Sequence, residues 1–387
     1  MNRYLMRLGL LLVLTFMVGA CVYDYVPPVP EGEELLVVNG DILIGEETTV
    51  LLTYTSRVGD ALAGNQVAEA VYVESSDGNK YAGTPVNAVY TIDTRGADPK
   101  AEYRLVIEMR GRRYASTWSP VLPAAAIDSI SYSVDRDKRT VTVDVSAHGD
   151  SEHRYYRWIA RQVWEYHAAS RVVSYFYPAG ETYEGRVMVR DTFVSRKYDE
   201  VDNYYCWKYA DVSSLMLFNT SNLEENRLVR HGLFTMGQYD SRTQFLYSVQ
   251  IIQEAVTEDA WRYYESVRRN STDAGGLFSP QPSEVRGNVY NLDDPGERVL
   301  GYINVTRPAV QRRFIGMEGL GIHRVSDWDR PSAVSVDKEW RIHYWRQGYQ
   351  YSHTEVDVEF WMPKKCYDCR VHGGNKNKPD WWPNDHR

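Results

Sequence analysis

The 387-residue sequence has fewer basic than acidic residues and only four cysteines. Lysine and arginine together number 44 against 52 acidic residues, which makes the formal net charge −8. This balance argues against a nucleic-acid partner, because nucleic-acid binders usually carry a basic stripe. The sequence also lacks His-Glu-x-x-His, P-loop and Gly-x-Ser-x-Gly strings, which mark several common classes of catalytic site. We therefore expect a protein without catalysis, cofactor or metal site.

The N-terminal apolar run is too short for a membrane-spanning helix, which needs about 20 residues. It covers residues 8–18, follows two arginines and ends in Val18-Gly19-Ala20-Cys21. A basic start, a short apolar core and small residues before a cleavage site predict a secretory signal. The last four residues resemble a bacterial lipobox. We therefore predict a signal peptide over residues 1–20 and lipidation of Cys21, the alternative being an ordinary signal that leaves Cys21 unmodified.

Residues 21–34 contain three prolines and several acids, a composition that predicts an extended, solvated tether. Each acyl methylene contributes about 0.8 kcal/mol when it is buried in lipid. A lipidated Cys21 would therefore anchor the mature protein to a membrane, with the tether between the bilayer and the folded part.

Aromatic residues are abundant, with 30 tyrosines and 11 tryptophans, and they favour both strands and binding surfaces. From residue 35, short β-rich segments alternate with turn residues such as Ser76-Asp77-Gly78-Asn79, a hairpin signature. This spacing predicts an immunoglobulin-like β-sandwich over residues 35–122. The antibody-type Cys–Trp–Cys pattern is absent, so the prediction concerns the architecture alone.

Residues 127–387 predict a larger β-rich domain with one or few short helices. Residues 155–167 place several aromatic side chains on one face at a period of two, which fits a strand. Whether that face packs in the core or binds a ligand stays open. A helix is predicted near residues 258–269, because Thr257 suits the N-cap and two acids follow it. The predicted fold class is mainly β.

Three cysteines remain if Cys21 carries lipid: Cys206, Cys366 and Cys369. In an oxidising compartment such cysteines usually form disulfides. We favour a bridge between Cys366 and Cys369, with a bridge from Cys206 as the alternative. A zinc site would need four ligands, and this segment supplies a single closely spaced pair.

The C-terminal block, residues 366–382, combines positive charge with flat aromatic faces. Its candidate contact residues for a partner or ligand are Arg370, Lys376, Lys378, Trp381 and Trp382. A structural interpretation is also open, in which a disulfide stiffens a turn and the tryptophans cover the core.

Several segments of the chain are similar to one known family. They are the lipobox, Leu36-Val37-Val38-Asn39-Gly40, Ile127-Asp128-Ser129-Ile130, Tyr247-Ser248-Val249 and the closing strings Cys366-Tyr367-Asp368-Cys369-Arg370 and Lys378-Pro379-Asp380-Trp381-Trp382. On these segments the chain resembles Bacteroidota outer-membrane lipoproteins that contain a domain of unknown function, DUF4249.

The resemblance implies a lipid-anchored accessory protein of the outer membrane that works with a TonB-dependent transporter in ligand capture or uptake. It supplies neither a ligand nor catalytic residues. We expect the cell surface as the location, with the periplasmic face of the outer membrane as the alternative. The alternative function is a structural or adhesive surface protein that binds glycan, host material or other envelope proteins.

Overall fold

A computed structural model of the chain describes residues 34–55, 67–123, 125–150, 152–195, 203–272, 287–325 and 331–384. The predicted signal peptide, the lipidation of Cys21 and the predicted tether up to residue 33 lie outside these residues. Within them the chain is mainly β with few short helices, which confirms the predicted fold class. No helix in the described part is long and apolar enough to cross a membrane.

The first unit of the fold has strands in which roughly every second side chain is buried, as the alternating pattern predicts. Their buried side chains, among them Val38, Leu52 and Ile107, form one apolar core. In chain order the strands are β1 Leu36–Gly40, β2 Ile42–Leu43, β3 Glu47–Tyr54, β4 Ala70–Ser75, β5 Lys80–Val86, β6 Val89–Asp93, β7 Glu102–Met109, β8 Arg112–Ser116 and β9 Ser119–Pro120.

The strand order of this unit is that of an immunoglobulin-like sandwich. Such a sandwich places its first, second and fifth strands in one sheet and its third, sixth and seventh in the other. Leaving aside the two-residue strands, β1-β3-β6 form the first set and β4-β7-β8 the second. The fourth strand, β5, belongs to both, because Tyr81 pairs with Val73 of β4 and Gly83 pairs with Ile92 of β6.

The second unit begins after residue 125. Its elements are β10 Ala126–Asp135, β11 Thr140–His148, β12 Tyr155–His167, β13 Ser174–Tyr177, β14 Thr182–Tyr183, β15 Arg186–Val187, β16 Thr192–Ser195, β17 Tyr205–Asp211, β18 Met216–Asn219, β19 Arg227–Gly237, a 3-10 turn Ser241–Thr243, β20 Leu246–Ala255 and α1 Glu258–Thr272. The helix confirms the prediction near residues 258–269, and Thr257 Oγ1 accepts the amide N–H of Ala260 at 3.1 Å, as an N-cap should.

The remaining elements follow in chain order after residue 287. They are β21 Val289–Asn291, β22 Val299–Leu300, β23 Val305–Thr306, β24 Ala309–Gly316, a 3-10 turn Glu318–Leu320, β25 Val334–Val336, a 3-10 turn Lys338–Trp340, α2 Arg341–Arg346, β26 Gln350–Glu355, β27 Val358–Met362, α3 Lys364–Tyr367 and a 3-10 turn Cys369–His372.

Two sheets form the core of the second unit, β10-β11-β19 and β17-β12-β20-β24. Val143 of β11 packs in the same apolar cluster as Trp158 of β12 and Ile251 of β20. The predicted aromatic face of β12 is buried along its whole length. Those aromatic side chains are therefore core, and the question that their pattern left open is settled.

The first unit also takes up a segment from far along the chain. β21 pairs with β8, β22 lies parallel to β1, and β23 lies parallel to β2. The predicted boundary at residue 122 therefore omits part of this unit. The omission has a physical cause, because pairing between strands more than 170 residues apart leaves no local pattern in the sequence.

The last described segment, residues 331–384, adds the sheet β25-β27-β26. Trp361 of β27 is fully buried and packs edge-on against Phe176 of β13, with ring centroids 5.2 Å apart. Val336 of β25 belongs to the same apolar cluster. This segment is thus packed onto the hairpin that β13 forms with β16.

Candidate functional site

The two tryptophans of the C-terminal block differ in exposure. Trp382 is only 2% exposed and packs edge-on against Phe314 at 5.4 Å between ring centroids. Trp381 is 43% exposed and lies under the guanidinium of Arg312, 3.6 Å from its Cζ. The prediction that both tryptophans form a contact surface is therefore wrong for Trp382, because its indole fills the core between β12, β17 and β24.

The basic residues of the block contact the protein itself. Arg370 donates to Asp368 through Nε at 2.8 Å and Nη2 at 2.7 Å. Lys376 Nζ donates to the carbonyl of Tyr205 at 3.1 Å, and Lys378 Nζ donates to the side chain of Asn384. These contacts favour the structural interpretation of the block.

The disulfide joins Cys206 to Cys369, so the favoured bridge between Cys366 and Cys369 is wrong and the alternative is right. Asp368 is extended, with φ −122° and ψ 104°, between α3 and the following 3-10 turn. The two cysteines consequently enter different clusters. Cys369 lies with Tyr166, whereas Cys366 is buried, unpaired and packed with Tyr367.

Gly374 explains part of this geometry. A Cβ at that position would lie 2.5 Å from the Cβ and 2.7 Å from the Sγ of Cys206. Any side chain there would collide with the disulfide. Gly374 is therefore needed for close approach of the block to β17, where Asn375 and Trp207 exchange backbone hydrogen bonds at 2.7 and 2.8 Å.

A groove runs between the first and second units. Its larger part, the apolar lobe, has a volume of about 760 Å³. The smaller part, the polar lobe, has a volume of about 320 Å³. Both are lined by Asn39, Ser213, Ser214 and Leu215, so the two lobes adjoin. Their volumes lie within the range of small-molecule sites, about 300–1,000 Å³.

The helix α1 forms one wall of the apolar lobe. Tyr263, Tyr264, Val267 and Arg268 line it, and their spacing of three and four places them on one face of the helix. Tyr302 also lines it, with its ring centroid 5.5 Å from that of Tyr263. Burial raises the pKa values of Tyr263 and Tyr302, so both hydroxyls stay neutral. The lobe therefore offers neutral aromatic faces to a ligand.

The polar lobe contains a buried ionic cluster. Arg157 of β12 donates to Glu254 of β20 through Nε at 2.8 Å and Nη2 at 2.5 Å, and Nη2 also donates to Asp41. The Asp41 carboxylate, in the turn between β1 and β2, further accepts the hydroxyl of Tyr264 at 3.0 Å and the amide N–H of Asn304 at 3.2 Å. The cluster thus joins Asp41 of the first unit to three elements of the second unit, β12, β20 and α1.

The electrostatics of this cluster are unbalanced, with two carboxylates for one guanidinium. Burial raises the pKa of Glu254 to about 7 against the attraction of Arg157. It also raises the pKa of Asp41. Burial works against the charged form of Arg157 as well, but the two carboxylates outweigh it and raise its pKa well above the usual value. The guanidinium therefore stays charged. Because it balances only one of the two carboxylates, the cluster favours the uptake of one proton, for which Asp41 and Glu254 compete.

Sequence reasoning missed this cluster, although part of the signal was present. Arg157 and Glu254 are charged residues inside apolar strand patterns, and a buried charge needs a partner. The partner Asp41 lies 116 residues before Arg157, which no local pattern reveals. No group of three or more histidines, cysteines or acids that could hold a metal ion occurs among the described residues.

A family model with the description Domain of unknown function (DUF4249) matches residues 22–312. The chain belongs to this DUF4249 family. The match contains every residue of the groove named above, so the groove lies in the part of the chain that the family model covers. It ends before the C-terminal block, which the sequence resemblance had included. A search of curated proteins finds no match to the chain.

Proposed function

We propose that this DUF4249 protein is a lipid-anchored binding protein of the outer membrane, without catalytic activity, that captures a small ligand in the groove between its two units. A TonB-dependent transporter is the partner to which it presents the ligand. The observation that carries the proposal is the apolar lobe of about 760 Å³ with its wall of tyrosines. A large apolar space with few polar groups is the usual form of a ligand site.

The position of the groove in the chain fits an anchored binding protein. β1, which supplies Val37 and Val38 to the apolar lobe, begins two residues after the predicted tether. A proline-rich spacer of that length spans roughly 40 Å when extended. A lipidated Cys21 would hold the groove within about that distance of the bilayer, and tethering raises the effective concentration of the groove beside a membrane partner.

The anchor is tested by fractionation of cells that produce the unmodified chain or Cys21→Ser. We expect the unmodified chain in the detergent-extracted membrane fraction and the Cys21→Ser chain in the soluble fraction or unprocessed. Normal processing and membrane association of the Cys21→Ser chain would exclude a lipid anchor on that thiol.

The partner is tested by affinity purification of the tagged, full-length chain from solubilised membranes at its native level. We expect a TonB-dependent transporter in the eluate. Repeated recovery of the chain alone contradicts a transporter partner. Binding to glycan or matrix that survives deletion of the transporter supports the structural or adhesive function instead.

The groove is tested by Ser214→Trp, because Ser214 is exposed and lines both lobes. An indole there would occupy the space. Mass spectrometry of small molecules that co-purify with the protein should show a species on the unmodified chain that is lost in this variant. Ser221→Trp is the matched control, since Ser221 is exposed outside the groove. Equal loss in both variants, or in neither, contradicts binding in the groove.

A further inference from the structure

We infer that the polar lobe binds the protonated amine of a small amphipathic ligand whose apolar part occupies the adjoining apolar lobe. The inference rests on the proposed function, because it assigns a ligand class to the same groove. It is carried by the composition of the buried cluster, by an unsatisfied carboxylate oxygen and by the arrangement of the two lobes.

The buried cluster has an unbalanced charge. Asp41 and Glu254 share the single guanidinium of Arg157, and all three side chains are buried. When both carboxylates are ionised, one negative charge lacks a counterion. An uncompensated buried charge is costly, so a cation beside this cluster is strongly favoured.

One carboxylate oxygen of Glu254 is a buried acceptor without a donor among the described residues. Glu254 forms part of the wall of the polar lobe and is fully buried. Its Oε2 accepts from Arg157, but no residue in the described ranges hydrogen-bonds to its Oε1. Buried carboxylate oxygens are normally satisfied. An ammonium group has three N–H donors and a positive charge. It would therefore donate a hydrogen bond to Oε1 of Glu254 and also balance the excess negative charge of the cluster.

Other charged side chains also face the groove. Glu47 of β3 and Arg161 of β12 also line it, and both are exposed at its rim. They contribute one charge of each sign, so the excess negative charge of the lobe stays at one. In the apolar lobe Arg268 pairs with Glu265 at 2.6 Å, a carboxylate that Arg269 shares at 3.1 Å. Because Arg268 is exposed, solvent and salt screen its remaining charge from a ligand in the groove.

Tyr264 connects the two lobes of the groove. Tyr264 lines the apolar lobe, while its hydroxyl donates to Asp41 in the cluster. A ligand with an amine at one end and an apolar or aromatic part at the other therefore fits across the groove. A metal ion fits less well, because the cluster offers two carboxylates and the described residues hold no larger ligand group.

The same charges predict what happens in the absence of a ligand. The cluster then takes up a proton in place of the amine, consistent with the pKa of about 7 for Glu254. Binding of the amine should expel that proton to solvent. Burial raises the pKa of Tyr264 well above its usual value, and the two carboxylates raise that of Arg157 against the effect of burial, so neither group changes its charge near neutral pH.

The inference is tested by calorimetric titration of the full-length protein in mild detergent with tyramine and with 4-ethylphenol. The two compounds share the ring and the two-carbon chain and differ in the ammonium group. We expect tyramine to bind at least about tenfold more tightly, as a buried hydrogen bond to a charged group requires. At pH 6, paired buffers of different ionisation enthalpy should show release of about one proton per tyramine bound.

The variant Glu254→Gln should reduce the affinity for tyramine to that for 4-ethylphenol and abolish the proton release. Glu339→Gln is the matched control, because Glu339 is exposed and lies outside the groove. A thermal unfolding curve checks that each variant is folded. If Glu254→Gln does not fold, the two-compound and two-buffer titrations of the unmodified protein decide the question without it.

The outcomes separate this inference from the proposed function. Equal affinities for tyramine and 4-ethylphenol overturn the amine site but support a ligand groove. Failure of both compounds to bind also overturns the inference, and the fate of the proposed function then depends on transporter recovery and on the Ser214→Trp comparison. Tighter tyramine binding without proton release overturns the role of the Glu254 cluster.

Discussion

Two regions of the molecule join segments that lie far apart in the sequence, the buried cluster around Arg157 and the C-terminal block around the disulfide. Arg157 reaches Asp41 across 116 residues, and Cys206 reaches Cys369 across 163. The cluster uses three buried charges in the wall of a groove. The block uses a covalent bond and the buried indole of Trp382.

Because one region is held by buried charges and the other by a covalent bond, the two regions are suited to different roles. A buried ion cluster is a weak source of stability, because desolvation offsets most of the attraction between its charges. It responds, however, to protons and to cationic ligands. A disulfide acts mainly by restricting the unfolded chain and responds to redox conditions instead. The first region is thus the better candidate for function, and the second the better candidate for support.

The largest effect is expected from Arg157→Met. This change leaves Asp41 and Glu254 buried without a counterion, and loss of one partner of a buried ion pair costs about 3–5 kcal/mol. Chemical denaturation followed by tryptophan fluorescence should show the loss.

Arg161→Met is the control for this variant. It lies four residues further along the same face of β12 but is exposed, so its effect should stay within about 0.5 kcal/mol. Equal destabilisation by the two variants would mean that the cluster does not join the units.

A somewhat smaller effect is expected from removal of the disulfide by Cys206→Ser with Cys369→Ser. The bond closes a loop of 163 residues, for which the loss is about 2–5 kcal/mol. Thermal unfolding with and without reductant measures it. Cys366→Ser should leave the response to reductant unchanged.

The pairing itself has a direct check. Chymotryptic cleavage after Tyr367 separates Cys366 from Cys369, so mass spectrometry of the unreduced protein can assign the linkage. We expect the Cys206 peptide to be joined to the Cys369 peptide, with Cys366 alkylated. A Cys366–Cys369 linkage would instead support the bridge that the sequence favours and would exclude the bridge between Cys206 and Cys369.

The smallest effect is a dependence on pH that has opposite sign in the two regions. The raised pKa of Glu254, about 7, means that the folded protein binds more protons than the unfolded chain between pH 4.5 and 7. Stability from the cluster should therefore fall as the pH rises through this window, by an amount on the order of 1–3 kcal/mol.

In the C-terminal block the sign is reversed. Burial opposes the ionisation of Asp368, but hydrogen bonds from Arg370 outweigh it and lower its pKa. Stability from Asp368 is present above pH 3.8 and is lost as the pH falls through its lowered pKa. Thermal midpoints between pH 3 and 8 measure both effects. Glu254→Gln should remove the slope between pH 5 and 7, and a slope that persists would assign it to another group.

Much of the fold could be predicted from the sequence, because its signals are local. The alternation in residues 155–167 predicts β12 and the face that it buries. Thr257 and the acids after it predict the start of α1, and turn residues at regular intervals predict the immunoglobulin-like unit. Each of these signals depends on side chains a few positions apart.

The candidate site could not be predicted in the same way. The C-terminal block was the most conspicuous surface in the sequence, yet Trp382 is core and Arg370 is paired with Asp368. The groove instead depends on the approach of β1 to α1 and of Asp41 to Arg157. Charged residues in apolar strands were the one available signal.

By itself the sequence determined the β-rich class and the helix after Thr257. It also predicts a lipid anchor at Cys21. Hydrophobic periodicity, capping and signal motifs are properties of neighbouring residues, so they can be read before the chain folds. Only the tertiary structure decided that Cys369 pairs with Cys206, that residues 289–306 complete the first unit and that Asp41 meets Arg157. Those contacts depend on how whole sheets pack against each other, which places distant residues together for reasons that no short segment contains.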